Sequence, residues 1–259
     1  MTTIKFLVSL SLVIALVHGT SQPAIAAAAC PTGIIHRGYA QSGVAENTVD
    51  AFNAAFTMGY EWVETDMYFT KDGYPVLFHN ATVDGTTSGS GAIADMTLAQ
   101  FKALTYKNGQ PTSSLQDALP LLTNTNRHML VEIKLALTTA QQQALIAILR
   151  GQESQVHLNG FAPTLSTLVA IKKQNPAISI SYLAHDAKDN LVAGMSGKDI
   201  NYTKIDYLSV LALHSKGYVV RAWTPNSVVD WRVMKLSGVD AIITDKAVEY
   251  KQWVTDSCR

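Results

Sequence analysis

The sequence predicts a single α/β domain folded as a (β/α)8 TIM barrel. Eight short apolar stretches alternate with helical patterns through residues 30–259, and no long linker interrupts them. This length is typical of one barrel and leaves no room for a second domain of ordinary size. A doubly wound open sheet fits the same alternation, but it normally carries a glycine-rich nucleotide-binding turn, which the sequence lacks.

Turn and capping residues bound the first elements. Asn47 is predicted to cap a helix that ends at Gly59. The apolar and polar residues of 62–69 alternate with a period of two, which indicates a strand, and the turn at 71–73 leads into the next one. The predicted strands are 34–38, 62–69, 75–79, 128–134, 156–162, 178–184, 218–223 and 241–244.

Glycine and proline residues end most of the predicted helices. Gly151, Gly217 and Gly238 follow three helical patterns, and a polar, glycine-rich stretch at 84–91 is predicted to be a loop. Residues 188–205 show no clear period and are also interpreted as a loop. The predicted helices are 48–58, 97–104, 115–122, 139–150, 165–174, 207–216 and 228–236.

Charge is balanced over the whole chain. The 259 residues include 20 basic and 20 acidic side chains, and the isoelectric point is about 7.1. A protein of this kind has no global field to attract nucleic acid or an anionic membrane surface. We therefore expect its partner to be a small molecule bound at a local site.

The amino-terminal segment, residues 1–29, has the features of a secretory signal. Lys5 is its only formal charge, an apolar run covers 6–17, and small residues with an Ala-x-Ala pattern follow. We expect cleavage and a secreted or periplasmic protein without a stable membrane anchor. An uncleaved anchor is the alternative, and acylation of Cys30 is less favoured because Ala27 stands where such signals usually have Leu or Val.

The chain contains two cysteines, Cys30 and Cys258, which lie at opposite ends of the predicted domain. Two cysteines in an exported protein most simply form one disulfide. A closed barrel brings its ends together, so this pairing is plausible in space. Two free thiols, or bonds to other chains, are the alternatives. Neither cysteine lies in a CxxC pattern or beside a histidine, which argues against a redox or catalytic role.

Unusual polar and aromatic residues fall on or at the ends of the predicted strands. In a barrel the carboxyl ends of the strands form the functional face, so these side chains are expected to converge there. Scattered surface charge would not select strand ends in this way. The residues are His36, Arg37, Glu64, Asp66, His79, Glu132, Lys134 and Trp223.

Three of these residues predict a metal site. Glu64 and Asp66 share one face of a strand because they are two positions apart, and Glu132 stands on the next long strand. Buried carboxylates repel one another unless a cation or a shared proton relieves them. Three carboxylates suit Ca²⁺ or Mg²⁺ better than zinc. The alternatives are acids that face water, or a private ion pair between Glu132 and Lys134.

Five short motifs occur in an order that resembles the glycerophosphodiester phosphodiesterase family. The resemblance extends to the segment at Trp223 and to the closing stretch 240–245, and so spans the predicted domain. The five motifs are His36-Arg37-Gly38, Glu46-Asn47-Thr48, Glu64-Thr65-Asp66, Thr70-Lys71-Asp72-Gly73 and His79.

The resemblance implies a TIM-barrel hydrolase that splits glycerophosphodiesters into sn-glycerol 3-phosphate and an alcohol with a divalent cation. It assigns the metal to Glu64, Asp66 and Glu132, and proton transfer to two histidines whose individual roles stay open. The remaining assignments that it implies are His36 and His79 as those histidines, Arg37 and Lys134 as phosphate contacts, Trp223 as a surface for glycerol, and Glu46 as a supporting residue.

Two positions depart from the family pattern. Asn80 replaces the Asp that usually follows the second histidine, and Gly85 replaces a loop arginine. These departures leave open a catalytically weak glycerophosphodiester-binding protein. A second alternative is a phospholipase D that acts on sphingomyelin or lysophospholipids, because such enzymes resemble this chain in having a related barrel with a similar set of His, Glu and Asp residues.

Overall fold

The computed structural model describes residues 29–41, 43–188 and 192–258. Within them, eight parallel strands close into a barrel, and two short antiparallel strands extend from one of its members. The predicted TIM barrel is therefore confirmed. All of the predicted export signal except Ala29 lies outside the described residues.

The strands are short, and most are followed by a helix on the outside of the barrel. Their bounds are Thr32–Ile35 (β1), Trp62–Phe69 (β2), Pro75–Leu77 (β3), Ser113–Ser114 (β4), His128–Ile133 (β5), Val156–Gly160 (β6), Ser179–Ala184 (β7), Gly197–Asn201 (β8), Val219–Trp223 (β9) and Ala241–Thr244 (β10). The barrel order is β1, β2, β5, β6, β7, β8, β9 and β10, and β10 pairs with β1.

The described helices pack around this barrel. Their bounds are Val49–Thr57 (α1), Leu98–Lys102 (α2), Leu115–Ala118 (α3), Thr139–Ile148 (α4), Leu165–Gln174 (α5), Tyr207–His214 (α6), Val228–Ser237 (α7) and Ala247–Ser257 (α8). In the described ranges, none of them has both the length and the apolarity needed to span a bilayer.

Strand periodicity separates the core from the functional residues. In β2, Val63 and Met67 are buried in the main apolar cluster together with residues of the surrounding helices. Glu64 and Asp66 alternate with them and therefore point to the other face, which is the barrel interior. The same apolar positions that hold the helices in place thus force acidic side chains inward.

One predicted barrel strand was wrong. The stretch that begins at Pro75 forms β3, which runs antiparallel to β2 and takes no part in closing the barrel. The eighth barrel strand is instead β8, inside the stretch interpreted as a loop. Its apolar pattern is weak because Lys198 and Asp199 are buried there: the Lys198 Nζ donates to the Ala187 carbonyl, and Asp199 pairs with Arg221.

Two local predictions at the amino-terminal end were also wrong. The first strand ends at Ile35, and His36, Arg37 and Gly38 form a tight turn with positive φ at Arg37 (54°) and Gly38 (77°). Helix α1 is capped by Thr48, whose hydroxyl accepts from the Ala51 N–H at 3.2 Å. Asn47 has a different role, described below.

Cys30 and Cys258 form a disulfide, with their Cα atoms 5.8 Å apart. The pairing favoured by the cysteine count is therefore present. It joins residues 228 positions apart and so fixes the start of the barrel to α8, a helix that the sequence reading did not predict.

A histidine near the amino-terminal end of the barrel creates a dependence of stability on pH. His157 packs beside Trp62 and His128, with ring centroids 4.7 Å and 5.7 Å away. Burial, the nearby Arg221 and then His128 lower the pKa of His157 from 6.5 to about 4. The folded state therefore disfavours protonation of this ring.

We predict that the free energy of unfolding falls as the pH drops from 6.5 towards 4, because the unfolded chain then binds a proton that the folded chain does not. The loss assigned to His157 is at most about 3 kcal/mol. Urea unfolding at pH 7 and pH 4.5 measures it. The variant His157→Gln should lose less stability between these two values than the wild-type chain, and an equal loss in both would refute the assignment.

Candidate active site

The carboxyl ends of the barrel strands surround a cavity of about 220 Å³. One side is charged and the other is largely apolar. The charged side consists of His36, Arg37, Glu64, His79, Glu132 and Lys134, and the apolar side includes Phe161, Leu183, Trp223 and Ile243. Of the eight residues predicted to act on metal, substrate or protons, only Asp66 does not line this cavity, and it lies close to Arg37, Lys134, Glu64 and Glu132, which do.

Three carboxylates meet in the barrel interior. Glu64 and Asp66 come from β2 and Glu132 from β5, where Asp66 and Glu132 are direct register partners. One oxygen from each lies within 4.8 Å of the others, and the side chains are 4%, 1% and 9% exposed. A set of oxygen ligands of this size and charge could hold a hard divalent cation.

Two cations bind the same carboxylates from the side. The Lys134 Nζ lies 3.1 Å from Asp66 Oδ1 and 3.0 Å from Glu132 Oε1. The Arg37 Nε lies 3.2 Å from Asp66 Oδ2, while its Nη1 is 3.2 Å from each oxygen of Glu46. Glu46 therefore orients Arg37 and does not join the carboxylate cluster. Lys134 is not in a private pair with Glu132, because Asp66 shares it.

The charges of this cluster do not balance. Lys134 and Arg37 face three buried acids, and together they hold the pKa of Asp66 below its usual range although burial opposes ionisation. For Glu64, burial and then the charge of Asp66 raise the pKa well above its usual value. Without a further cation, burial and Asp66 therefore favour the neutral, protonated form of Glu64. A bound divalent cation would stabilise the Glu64 carboxylate instead, so the residues present fit a metal.

After Lys134 and Arg37, Asn47 also helps Asp66 to stay ionised in the interior. Its Nδ2 donates to Asp66 Oδ2 at 3.0 Å, and its Oδ1 accepts from the Asp66 N–H at 3.0 Å and from the Thr65 hydroxyl at 2.7 Å. Asn47 is fully buried with a φ of 56°, a backbone conformation that Asn tolerates better than most residues. It thus links the loop before α1 to the edge of β2.

His36 is held by an aspartate that the sequence reading did not assign. Its Nδ1 lies 2.6 Å from Asp245 Oδ1, and Asp245 in turn accepts from the Asn226 Nδ2 at 2.6 Å. The His36 Nε2 lies 3.8 Å from Glu64 Oε2. Burial alone would lower the pKa of His36, but the Asp245 and Glu64 carboxylates raise it above its ordinary value.

The second histidine has a different environment. The His79 Nδ1 lies 3.1 Å from Asn80 Oδ1, so the Asn that departs from the family pattern still holds the ring. Burial lowers the pKa of His79, Asp66 opposes this shift, and the charges of Arg37 and Lys134 add to it. Gly85, the other departure, has open space around its Cα and does not line the cavity.

His79 reaches the cavity by an unexpected route. Strand β3 returns antiparallel to β2, and the Phe78 N–H donates to the Asp66 carbonyl at 3.0 Å. This bond places the next residue, His79, near Asp66, in the middle of β2 and at the cavity. The hairpin thus brings His79 into the site although β3 is not a barrel strand.

The opposite side of the cavity carries Trp223 as predicted, together with a ring that the sequence reading left without a role. The Trp223 Nε1 donates to the Asp199 carbonyl at 3.1 Å, which fixes the indole. Phe161 meets it edge to face, with ring centroids 5.9 Å apart. These rings offer an apolar surface opposite Arg37 and Lys134.

Asp245, Phe161 and Asn159 were missed, and each had a usable signal. Asp245 directly follows β10 and Phe161 directly follows β6, so the strand-end rule that selected His36 also selects them. Asn159 is a polar residue on a short buried strand, like Glu64. Asp199 had no such signal, because the strand that carries it was not recognised.

The fold and this site define an enzyme of the TIM-barrel class with an acidic, cation-lined centre. Sequence comparison gives the family. The description "Glycerophosphoryl diester phosphodiesterase family" matches residues 36–249. A glycerophosphodiester phosphodiesterase from Caldanaerobacter subterraneus is 29% identical over 228 residues, which are 82% of this chain and 93% of that protein. The chain belongs to this family and is a phosphoric diester hydrolase.

Solved structures agree with this assignment. A phosphodiesterase from Oleispira antarctica, determined in complex with the product sn-glycerol-3-phosphate, superposes with a TM-score of 0.76 at 25% identity, covering 87% of this chain and 97% of that one. A glycerophosphodiester phosphodiesterase from Parabacteroides distasonis has the same fold, with a TM-score of 0.76 at 20% identity and coverage of 89% and 99%.

We predict that Asp245→Asn lowers kcat by about 10- to 100-fold. The amide can still contact His36, but it no longer favours the protonated ring or fixes which nitrogen carries the proton. Steady-state kinetics on glycerophosphocholine measure the loss.

A matched control is available at the surface. His214 and Asp240 form a similar pair, with Nε2 and Oδ2 2.9 Å apart, and neither residue lines the cavity. The variant Asp240→Asn should keep wild-type kcat. Equal effects of the two substitutions would contradict a specific role for Asp245.

Proposed function

We propose that this chain is an exported phosphodiesterase that uses a divalent cation and two histidines to convert glycerophosphodiesters into sn-glycerol 3-phosphate and an alcohol. The observation that carries the proposal is the meeting of three buried carboxylates, two cations and two histidines around one cavity. The product named for the Oleispira antarctica relative supports the choice of substrate.

The cations recognise the phosphodiester. Arg37 presents a planar fork suited to phosphate oxygens, and Glu46 holds this fork in place. Lys134 stands between Asp66 and Glu132, so it combines a positive charge with contact to the proposed metal ligands. As the phosphorus–oxygen bond breaks, negative charge grows on the phosphoryl oxygens, and both side chains stabilise it.

The histidines transfer the protons. One must take a proton from the attacking oxygen, and the other must give a proton to the alkoxide that leaves. His36 and His79 face the same cavity, and their surroundings move their pKa values in opposite directions. This separation supplies a proton donor and a proton acceptor near neutral pH.

Glu64, Asp66 and Glu132 would hold Ca²⁺ or Mg²⁺. When bound, such an ion supplies positive charge that polarises the phosphoryl group. The chain contributes the ligands, the buried setting and Asn47, which anchors Asp66. Three buried carboxylates share the two cations Lys134 and Arg37, and this arrangement supports a further cation at this place and not only a structural ion-pair network.

Export is part of the proposal. The secretory pattern in residues 1–29 and the Cys30–Cys258 disulfide both suit an oxidising compartment. Mass spectrometry of protein produced with its own leader should give a mature end between Ala27 and Cys30. Recovery of the uncleaved chain would contradict this part of the proposal.

Three substitutions separate metal binding from proton transfer. Glu64→Gln should weaken divalent-cation binding and activity together, because it removes a charged ligand. His36→Ala and His79→Ala should each lower kcat by about 100-fold or more while the cation still binds. Calorimetric binding of the cation, measured beside kcat, distinguishes the two classes. Loss of cation binding in the histidine variants would instead move a histidine into the coordination shell.

The substrate is tested by comparing glycerophosphocholine, glycerophosphoethanolamine and lysophosphatidylcholine at equal cation concentration, with and without EDTA. The two glycerophosphodiesters should agree in kcat/KM within about tenfold, because the cavity recognises the phosphate and the three-carbon half. EDTA should abolish turnover of both.

A strong preference for lysophosphatidylcholine would favour the phospholipase D alternative. Tight binding of glycerophosphocholine without turnover would favour the binding-protein alternative. Either result would replace the proposed reaction.

A further inference from the structure

A buried amide, that of Asn159, lines the cavity and has no part in the proposed reaction. Asn159 lies on β6 in register with Glu132 on one side and Ser181 on the other. It is 1% exposed and contributes to the lining of the cavity. Asn159 therefore sits in the barrel interior next to the proposed metal ligands, between the charged and the apolar sides.

A carboxylate network fixes the orientation of this amide. The Asn159 Nδ2 donates to Asp199 Oδ2 at 2.8 Å, and the Ser181 hydroxyl donates to the same oxygen at 2.8 Å. Arg221 Nη1 donates to Asp199 Oδ1 at 2.9 Å. If the amide were turned over, its oxygen would face the fully buried Asp199 carboxylate. The Asp199 carboxylate therefore fixes the orientation of the Asn159 amide, with Nδ2 towards Asp199 and Oδ1 away from it.

This arrangement leaves the other end of the amide as an acceptor. The Asn159 Oδ1 is buried and has no donor among the described residues. Buried amide oxygens are normally hydrogen-bonded, and an unpartnered one at a binding cavity points to a donor that arrives with a ligand.

The cavity itself offers few competing donors. Arg37 and Lys134 are engaged with carboxylates, and the side opposite them is formed mainly by aromatic and aliphatic groups, with Thr224 as a polar neighbour of Trp223. A neutral oxygen between these two sides suits a neutral hydroxyl attached to a short carbon chain whose phosphate lies on the cations.

We propose that Asn159 Oδ1 accepts a hydrogen bond from a free hydroxyl of the glycerol half of the substrate and so determines specificity for it. This inference rests on the proposed function, and it adds a residue that recognises the glycerol half of the substrate and not its phosphate. Asp199 acts as a positioning residue, because it orients the Asn159 amide and also accepts, through its carbonyl, from Trp223.

The test uses choline diesters, because choline has no N–H or O–H donor and leaves the glycerol half as the sole source of hydroxyl groups. Glycerophosphocholine is compared with the phosphocholine diesters of propane-1,2-diol and propane-1,3-diol, each of which lacks one hydroxyl. For wild-type enzyme, kcat/KM should fall by roughly 10- to 100-fold for one of the two analogues, since the missing hydroxyl leaves the Asn159 oxygen unpaired.

The variant Asn159→Leu keeps a similar volume and removes the acceptor. It should lose about the same factor on glycerophosphocholine and should no longer distinguish that analogue from the parent substrate. The matched control is Ser181→Ala, which removes another donor to the same Asp199 oxygen but leaves the Asn159 acceptor in place. This control should keep the wild-type ratio of kcat/KM between glycerophosphocholine and the weaker analogue. If Asn159→Leu acted only by loosening the network around Asp199, Ser181→Ala would change this ratio too.

Two results would overturn the inference. One is a wild-type enzyme with equal kcat/KM on glycerophosphocholine and on both analogues. The other is an Asn159→Leu variant whose kcat/KM still falls between glycerophosphocholine and the weaker analogue. The wild-type comparison needs no variant, so it decides the matter even if Asn159→Leu does not fold. Failure of the proposed function is distinguishable, because the wild-type enzyme would then turn over none of the three diesters.

Discussion

The packing of three acids into the interior of a barrel is the constraint on which the rest of the structure depends. Glu64, Asp66 and Glu132 are nearly inaccessible to water, and an isolated ionised carboxylate in such a place is very unfavourable. Lys134 and Arg37 compensate part of the charge, and Asn47 contributes hydrogen bonds to Asp66. At Glu64, burial and Asp66 favour the neutral form, and the proposed cation would stabilise its carboxylate.

Several irregular features of the fold serve this cluster. The turn after β1 has positive φ at Arg37, and the Arg37 N–H donates to Glu64 Oε2 at 3.1 Å. The β2–β3 hairpin carries His79 back to the same level, while Asp245, after the last strand, fixes His36. Elements far apart in the sequence thus meet at the carboxyl ends of the strands, and the barrel closure by β10 and β1 makes this possible.

The sequence was sufficient for the barrel and for most residues of the cavity, for a physical reason. Strands buried on both faces have strong apolar patterns, so acids within them, such as Glu64 and Glu132, are conspicuous. The apolar pattern does not reveal a strand whose buried side chains are polar. Strand β8 carries Lys198 and Asp199, whose partners come from other parts of the chain, and no local pattern reveals such partners. Asn47 was misjudged similarly: its local preference for capping is real, but tertiary contacts with Asp66 determine its place.

The central claim is that the carboxylate cluster binds one hard divalent cation. Mn²⁺ prefers oxygen ligands as Mg²⁺ does, and its free form can be counted by electron paramagnetic resonance. Titration of metal-free protein should give one tightly bound Mn²⁺ per chain that Mg²⁺ or Ca²⁺ displaces, and Glu132→Ala should lose it. Absence of stoichiometric binding, or undiminished binding in Glu132→Ala, would contradict the account.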